Sequence, residues 1–193
     1  MLGLKLPTDP RWVNIAEKNI GEILIDHAYC EQKAASSCIS LIVRYPEREK
    51  LREVLMPVVT EEWGHFRMVI RELEKRGLSL GKQRKDEYVL QLKEHLQKQG
   101  RPEEKLGDEL FVNALIEARS CERFRLLSEE ISDENLRKFY RELMVSEANH
   151  YVNFIDLAKE YLPTDYVKTR WQEWLDIEAT IMQNLEIRGD RVH

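Results

Sequence analysis

Glu62 and His65 stand three positions apart in EEWGH, and Glu147 and His150 repeat that spacing in SEANH. Residues three apart on an α-helix share a face. Each pair therefore offers a carboxylate oxygen and an imidazole nitrogen to one point, a donor set that iron, manganese and zinc all accept. Glu31 precedes Glu62 by 31 positions, and Glu117 precedes Glu147 by 30. The chain thus holds two copies of one device, a segment with a glutamate followed by a segment with Glu-x-x-His. Two divalent ions would neutralise the four carboxylates, with Glu62 and Glu147 bridging the ions and Glu31 and Glu117 binding one ion each.

The segments that must position these side chains read as long helices. The first is expected from about Asp9 to Val43, with DP as its cap and an inward line of Ile20, Leu24, His27, Glu31, Ala34 and Cys38. Pro46 ends it. The second is expected from about Glu47 to Arg76, along Leu51, Val54, Leu55, Val58, Glu62, His65, Val69 and Leu73. Pro57 inside it predicts a bend or a break, and Gly77 predicts the stop. Residues 77–104 form the longest connection, with a short helix in DEYVLQLKEHLQKQG. The third helix, about Pro102 to Glu130, runs along Leu106, Leu110, Asn113, Glu117, Ser120, Phe124 and Leu127. SDEN caps the fourth, about Asp133 to Tyr161, along Leu136, Tyr140, Leu143, Glu147, His150, Phe154, Leu157 and Tyr161. A fifth, about Thr164 to Ile187, carries Trp171, Trp174, Ile177 and Ile181 and is expected to pack across the others. The closing RGDRVH reads as a frayed tail.

In both Glu-x-x-His helices the polar pair replaces two consecutive steps of an otherwise apolar stripe. A carboxylate buried alone costs several kcal/mol or more, so something must neutralise it. Metal ions do so for all four at once; an arginine partner is the alternative. The fold class this implies is all-α, a ferritin-like four-helix bundle with one long crossover and additional short and C-terminal helices, in a single domain over residues 1–193. Iron is favoured because two coupled reducible ions do chemistry with O2, although the spacing alone accepts manganese or zinc. His27, one turn before Glu31, and Asn113, in the equivalent place before Glu117, either line a pocket or hold a ligand from behind; a satisfied core histidine is the other reading of His27. Tyr140 is a pocket wall or a redox-active phenol. Glu122 rivals Glu117 but breaks the matching spacing, and His95 and His193 fall outside the bundle helices.

Composition narrows the class. A net charge of -5 with 34% charged and 42% hydrophobic residues suits a chain with an aqueous surface and a sizeable core. Three cysteines without framework spacing argue against a disulfide scaffold. The opening lacks a secretory pattern and no window reaches the roughly 18 apolar residues of a spanning helix, so a cytoplasmic location without membrane contact is expected. Between positions 67 and 85, Arg67, Arg71, Lys75, Arg76, Lys82, Arg84 and Lys85 face only Glu72 and Glu74 as acids. This local excess suits either phosphates or an ordinary solvated helix end.

ILIDHAYCEQKAASSC, VVTEEWGHFRMV, ALIEARSCERF and SEANHYVNFIDLA carry a more specific signal. With them, nearly the whole chain from LPTDPRW through WLDIEA resembles the tRNA 2-methylthio-N6-isopentenyladenosine hydroxylase family, a branch of the ferritin-like di-iron proteins. The resemblance places metal residues on Glu31, Glu62, His65, Glu117, Glu147 and His150. It implies an O2-dependent monooxygenase with two Fe ions that hydroxylates the isopentenyl group beside the anticodon. It implies as partners the tRNA anticodon arm and an external reductase with a ferredoxin-like carrier. The candidate phosphate contacts are Arg67, Arg71, Lys75, Lys82, Arg84 and Lys85, with Arg119, Arg123 and Arg125 as further candidates. No GxGxxG is present, so no nucleotide cofactor is expected, and catalysis needs no side-chain nucleophile. The competing readings are a di-iron ferroxidase or peroxide-handling protein, a radical-generating subunit, and a metal-bearing scaffold without catalysis.

Overall fold

The computed structural model describes residues 2–193 and divides the helix expected over residues 9–43 in two, α1 (Arg11–Lys18) and α2 (Ile20–Arg44). The break falls at Asn19, with φ −125° and ψ 32°. Its side-chain amide donates to the Ile15 carbonyl at 2.8 Å, and its backbone N–H donates to Ala16 at 2.9 Å. Asparagine competes with the helix ladder through such local bonds, which is why the apolar periodicity alone overran the boundary.

The remaining helices are α3 (Glu49–Lys75), α4 (Glu87–Glu94), α5 (Pro102–Glu130), α6 (Glu134–Tyr161) and α7 (Thr164–Asn184), and no strand occurs among the described residues. Among the described residues, no helix is long and apolar enough to cross a membrane. Contacts cluster into two compact units. One comprises the chain up to Val13, Asp86–Ile187 and His193; the other comprises Asn14–Lys85 and Arg188–Val192.

In the Asn14–Lys85 unit, α2 and α3 pack together across the short connection 45–48, as an antiparallel hairpin. α3 runs through Pro57 without the break that was one of the two expectations. Leu51, Leu55 and Val58 are at most 1% exposed on its inward face. Their burial outweighs the roughly 3 kcal/mol that an interior proline costs. Gly77 ends the helix at φ +66°, as Leu78 N–H reaches the Leu73 carbonyl and Gly77 N–H the Glu74 carbonyl, each at 3.0 Å. That is the Schellman arrangement, and the left-handed conformation at its hinge favours glycine.

In the other unit, α5 and α6 pack as a second hairpin across residues 131–133, with α4 and α7 against it. Asp86 caps α4 by accepting from Val89 N–H at 3.1 Å, and Asp133 caps α6 by accepting from Asn135 and Leu136. α4 stops at Glu94, short of the HLQKQG that the expected helix includes. α7 packs on α4, α5 and α6, with Trp174 fully buried and Trp171 5.7 Å from Phe111, ring to ring.

The tail is not frayed. Val192 is fully buried and its N–H donates to Asp26 Oδ2 at 2.8 Å, while Arg191 Nε lies 3.8 Å from Asp26 Oδ1. A Cβ on Gly189 would meet the Ile15 carbonyl oxygen at 2.7 Å, so only glycine allows this approach. The buried Asp26 carboxylate needs donors, and the tail supplies them. His193 is likewise fixed within its own unit, with Nε2 at 2.9 Å from Ser120 Oγ and its ring 5.3 Å from that of Tyr88.

Candidate metal centre

α2 and α3 bring three of the proposed ligands together. Glu31, Glu62 and His65 offer donor atoms all within 4.8 Å of one another. His65 Nδ1 lies 3.5 Å from Glu31 Oε2 and 3.6 Å from Glu62 Oε2. Glu62 is fully buried, Glu31 is 4% exposed, and the His65 side chain retains 12%. Behind Glu31, the fully buried His27 places Nε2 2.6 Å from Oε1. Such a contact orients a carboxylate and leaves its other oxygen for an ion.

α5 and α6 do the same in the other unit. Glu117, Glu147 and His150 offer donor atoms within 4.8 Å of one another and are 3%, 2% and 0% exposed. Tyr140 lies fully buried two turns before Glu147, its ring 5.3 Å from Phe124 and 5.2 Å from Phe139. Asn113 donates from Nδ2 to the Glu109 carbonyl of its own helix at 2.7 Å.

The donor chemistry fits a divalent ion in each half. Two carboxylates and one neutral imidazole neutralise the ion and leave positions open for further ligands. The field these acids create reaches neighbouring thiols. Burial, and then the Glu62 charge, push the Cys38 thiol far up; burial, and then Glu147, push Cys121 up to about 11. Both stay protonated and inert at neutral pH. Iodoacetamide at pH 8 is expected to modify the half-buried Cys30 first, and Cys38 and Cys121 only after denaturation, as read by peptide mass mapping. Native labelling of Cys38 would contradict this burial.

Glu122 serves a different purpose from the one its rivalry with Glu117 suggested. Its Oε2 accepts from Thr8 N–H at 3.1 Å, Thr8 Oγ1 at 2.6 Å and Arg119 Nη1 at 2.5 Å. Arg119 also donates from Nη2 to Glu178 Oε1 at 2.5 Å and to the Leu6 carbonyl at 3.0 Å. Arg119 and Glu178 are fully buried. Arg119 therefore cannot meet a phosphate. Nor can Arg123, which is 6% exposed with its guanidinium 4.2 Å over the Trp12 ring. Arg125 pairs with Glu129 at 2.6 Å. A third buried acid, Asp108, accepts from Arg170 at 2.8 Å and from Trp174 Nε1 at 3.0 Å. Asp108 and Glu178 were not singled out in the sequence. Their only signal there was an acid on the flank of an otherwise buried helix face.

The other basic candidates divide. Arg67, Arg71, Lys82 and Lys85 are exposed. Lys75 and Arg76 both pair with the buried Glu72, at 2.5 and 2.6 Å, and Arg84 pairs with Glu22 and with Asp190. His95 is exposed, at the end of α4.

A family model described as tRNA-(MS[2]IO[6]A)-hydroxylase (MiaE) matches residues 2–193. A Pseudomonas putida protein named tRNA 2-(methylsulfanyl)-N(6)-isopentenyladenosine(37) hydroxylase is 39% identical over 158 residues, covering 82% of this chain and 76% of that protein. A Salmonella typhimurium protein of the same name is 27% identical over 230 aligned positions, covering 93% of this chain and 83% of that protein. Among solved structures, a Synechococcus protein described as having aldehyde deformylating oxygenase activity superimposes with a TM-score of 0.93 at 34% identity, over 98% of this chain and 94% of that one. The fold class is accordingly all-α and ferritin-like.

Proposed function

Because the chain belongs to the tRNA-(MS[2]IO[6]A)-hydroxylase family, we propose that it hydroxylates the isopentenyl group of 2-methylthio-N6-isopentenyladenosine in tRNA. The observation that carries this reading is the pair of buried triads on α2–α3 and α5–α6, each with two carboxylates and one imidazole. They lie within a chain matched to that family over essentially its full length. The family match favours hydroxylation over the ferroxidase or peroxide-handling alternative.

In this reading residues 1–193 act as one catalytic domain. Glu31, Glu62 and His65 would hold one iron ion and Glu117, Glu147 and His150 the other. When bound, a pair of reducible irons supplies the two-electron activation of O2 that attack on an unactivated C–H bond requires. One oxygen atom enters the prenyl carbon as hydroxyl and the other leaves as water, with two electrons and two protons from outside the chain. A separate reductase or ferredoxin-like carrier is the electron source proposed. The chain's own residues bind and shield. His27 holds the Glu31 carboxylate from behind, and the Tyr140–Phe124–Phe139 wall keeps water from the α5–α6 ligands. Arg67, Arg71, Lys82 and Lys85 are the exposed cations available to phosphates of an anticodon arm.

The test is nucleoside mass analysis of tRNA after incubation with the iron-loaded, reduced protein and 18O-labelled O2. A single labelled oxygen on the prenyl side chain is the expected product. Consumption of O2 with no oxygen in the nucleoside would reject the assignment.

A further inference from the structure

The outer side of α3 carries an aromatic feature that metal binding does not use. Trp63 directly follows the ligand Glu62, yet it is 50% exposed. About 100° of helical rotation per residue turns its indole away from the ligand face. Its ring is stacked on Phe66, with centroids 4.8 Å apart and planes 22° from parallel. One face of the indole is therefore fixed by a neighbour, while half of the side chain remains in water. Met56, two turns earlier on the same side, is 57% exposed, and no other large apolar residue of α3 is exposed.

Charge decides what this surface fits. Arg67 and Arg71 lie one and two turns beyond Trp63, roughly 6 and 12 Å along the axis, and both are exposed. Neither forms an ion pair among the described residues, whereas Lys75 and Arg76 at the end of the same helix are held by Glu72. Glu74 is the acid nearest along this side. A protein interface favours a broader apolar centre than one indole and one methionine provide. A pre-ordered indole with two uncommitted guanidiniums beside it suits single-stranded nucleic acid, which stacks bases on aromatic rings and places phosphates on cations.

We propose that Trp63 is a stacking platform for an unpaired nucleobase of the RNA loop, with Arg67 and Arg71 on the adjoining phosphates. This rests on the tRNA reading above. Because the indole points away from Glu62 and His65, the stacked base is a neighbour of the nucleoside that is oxidised.

The experiment measures binding of the full-length, iron-loaded protein to a fluorescein-labelled synthetic anticodon stem-loop by anisotropy, together with steady-state hydroxylation of the prenylated stem-loop. Trp63→Ala is expected to weaken binding about 5- to 150-fold, raising KM with kcat retained and with helical content and iron stoichiometry unchanged. Trp63→Phe should keep most of the affinity. The double variant Arg67→Ala/Arg71→Ala should flatten the dependence of log Kd on log salt. Val43→Ala, an exposed apolar residue at the end of α2, serves as the control and should bind as the parent does. Parent-like binding and KM in Trp63→Ala, with the parent itself hydroxylating the stem-loop, would overturn the platform and leave the tRNA reading intact. A parent protein that neither binds nor hydroxylates the stem-loop would overturn both. A shift in sedimentation of Trp63→Ala, with RNA affinity unchanged, would make this surface a contact between copies and reject the proposal.

Discussion

Glu147→Ala is expected to bind fewer than two iron ions per chain and to lose tRNA hydroxylation by more than about a hundredfold, with its helices intact. Groups that merely orient a metal ligand cost about 10–100-fold in affinity or activity when removed; a proposed direct ligand must cost more. Without metal the substitution should not lower stability, for a physical reason visible within the α5–α6 hairpin. Glu117 and Glu147 place carboxylate oxygens within 4.8 Å of each other in a buried setting. Two ionised carboxylates at that separation repel, and removing one relieves the repulsion. The metal-free variant should therefore melt at or above the metal-free parent, while the iron-loaded parent alone gains from added iron. Glu122→Gln provides the contrast. Its carboxylate is occupied by Thr8 and Arg119, so this variant should keep its full iron content. Iron titration with absorption spectroscopy, alongside product analysis, reads both variants. Full iron content and turnover in Glu147→Ala would reject the ligand assignment.

Arg119→Met is expected to lower the free energy of unfolding by about 3–5 kcal/mol, the cost of stranding buried charge when one partner is removed. Arg119 is fully buried and is the shared donor to Glu122 and Glu178, while also reaching the Leu6 carbonyl. Its loss leaves two carboxylates in a low-dielectric setting with their main cation gone. Adding Glu178→Gln to the variant should restore part of the deficit, because the amide carries no charge to strand. The two changes should accordingly be non-additive. Urea unfolding followed by circular dichroism measures both. A loss below about 1 kcal/mol in the single variant would mean that water reaches these acids.

The proposed ligands were legible because a helix repeats every 3.6 residues, and a glutamate or histidine inside an apolar stripe is conspicuous. Leu136, Tyr140, Leu143, Glu147, His150, Phe154, Leu157 and Tyr161 are the inward line expected of α6, and all but the half-buried Tyr161 are buried there. One stop and one start were legible for a local reason: Gly77 and the Asp133 cap act through atoms a few residues away. Asn19 was local too, but its bond to the Ile15 carbonyl competes with an apolar pattern that runs straight through it.

What the amino-acid order could not disclose is the second buried side of α5. Arg119 reads in sequence as a candidate phosphate contact and Glu122 as a rival to Glu117, while Asp108 carries no expectation; their partners Arg170, Trp174, Glu178 and Thr8 lie far along the chain. The closing RGDRVH likewise has the composition of a loose end, yet Asp26 holds it through the Val192 N–H. Periodicity reports which residues share a face of one helix. Whether a second face is also covered, and which charge meets which, depends on elements brought together only by folding. The sequence alone therefore determined which helix faces carry the acids and imidazoles proposed to bind metal, and tertiary structure alone decided which of the other charges are buried and what neutralises them.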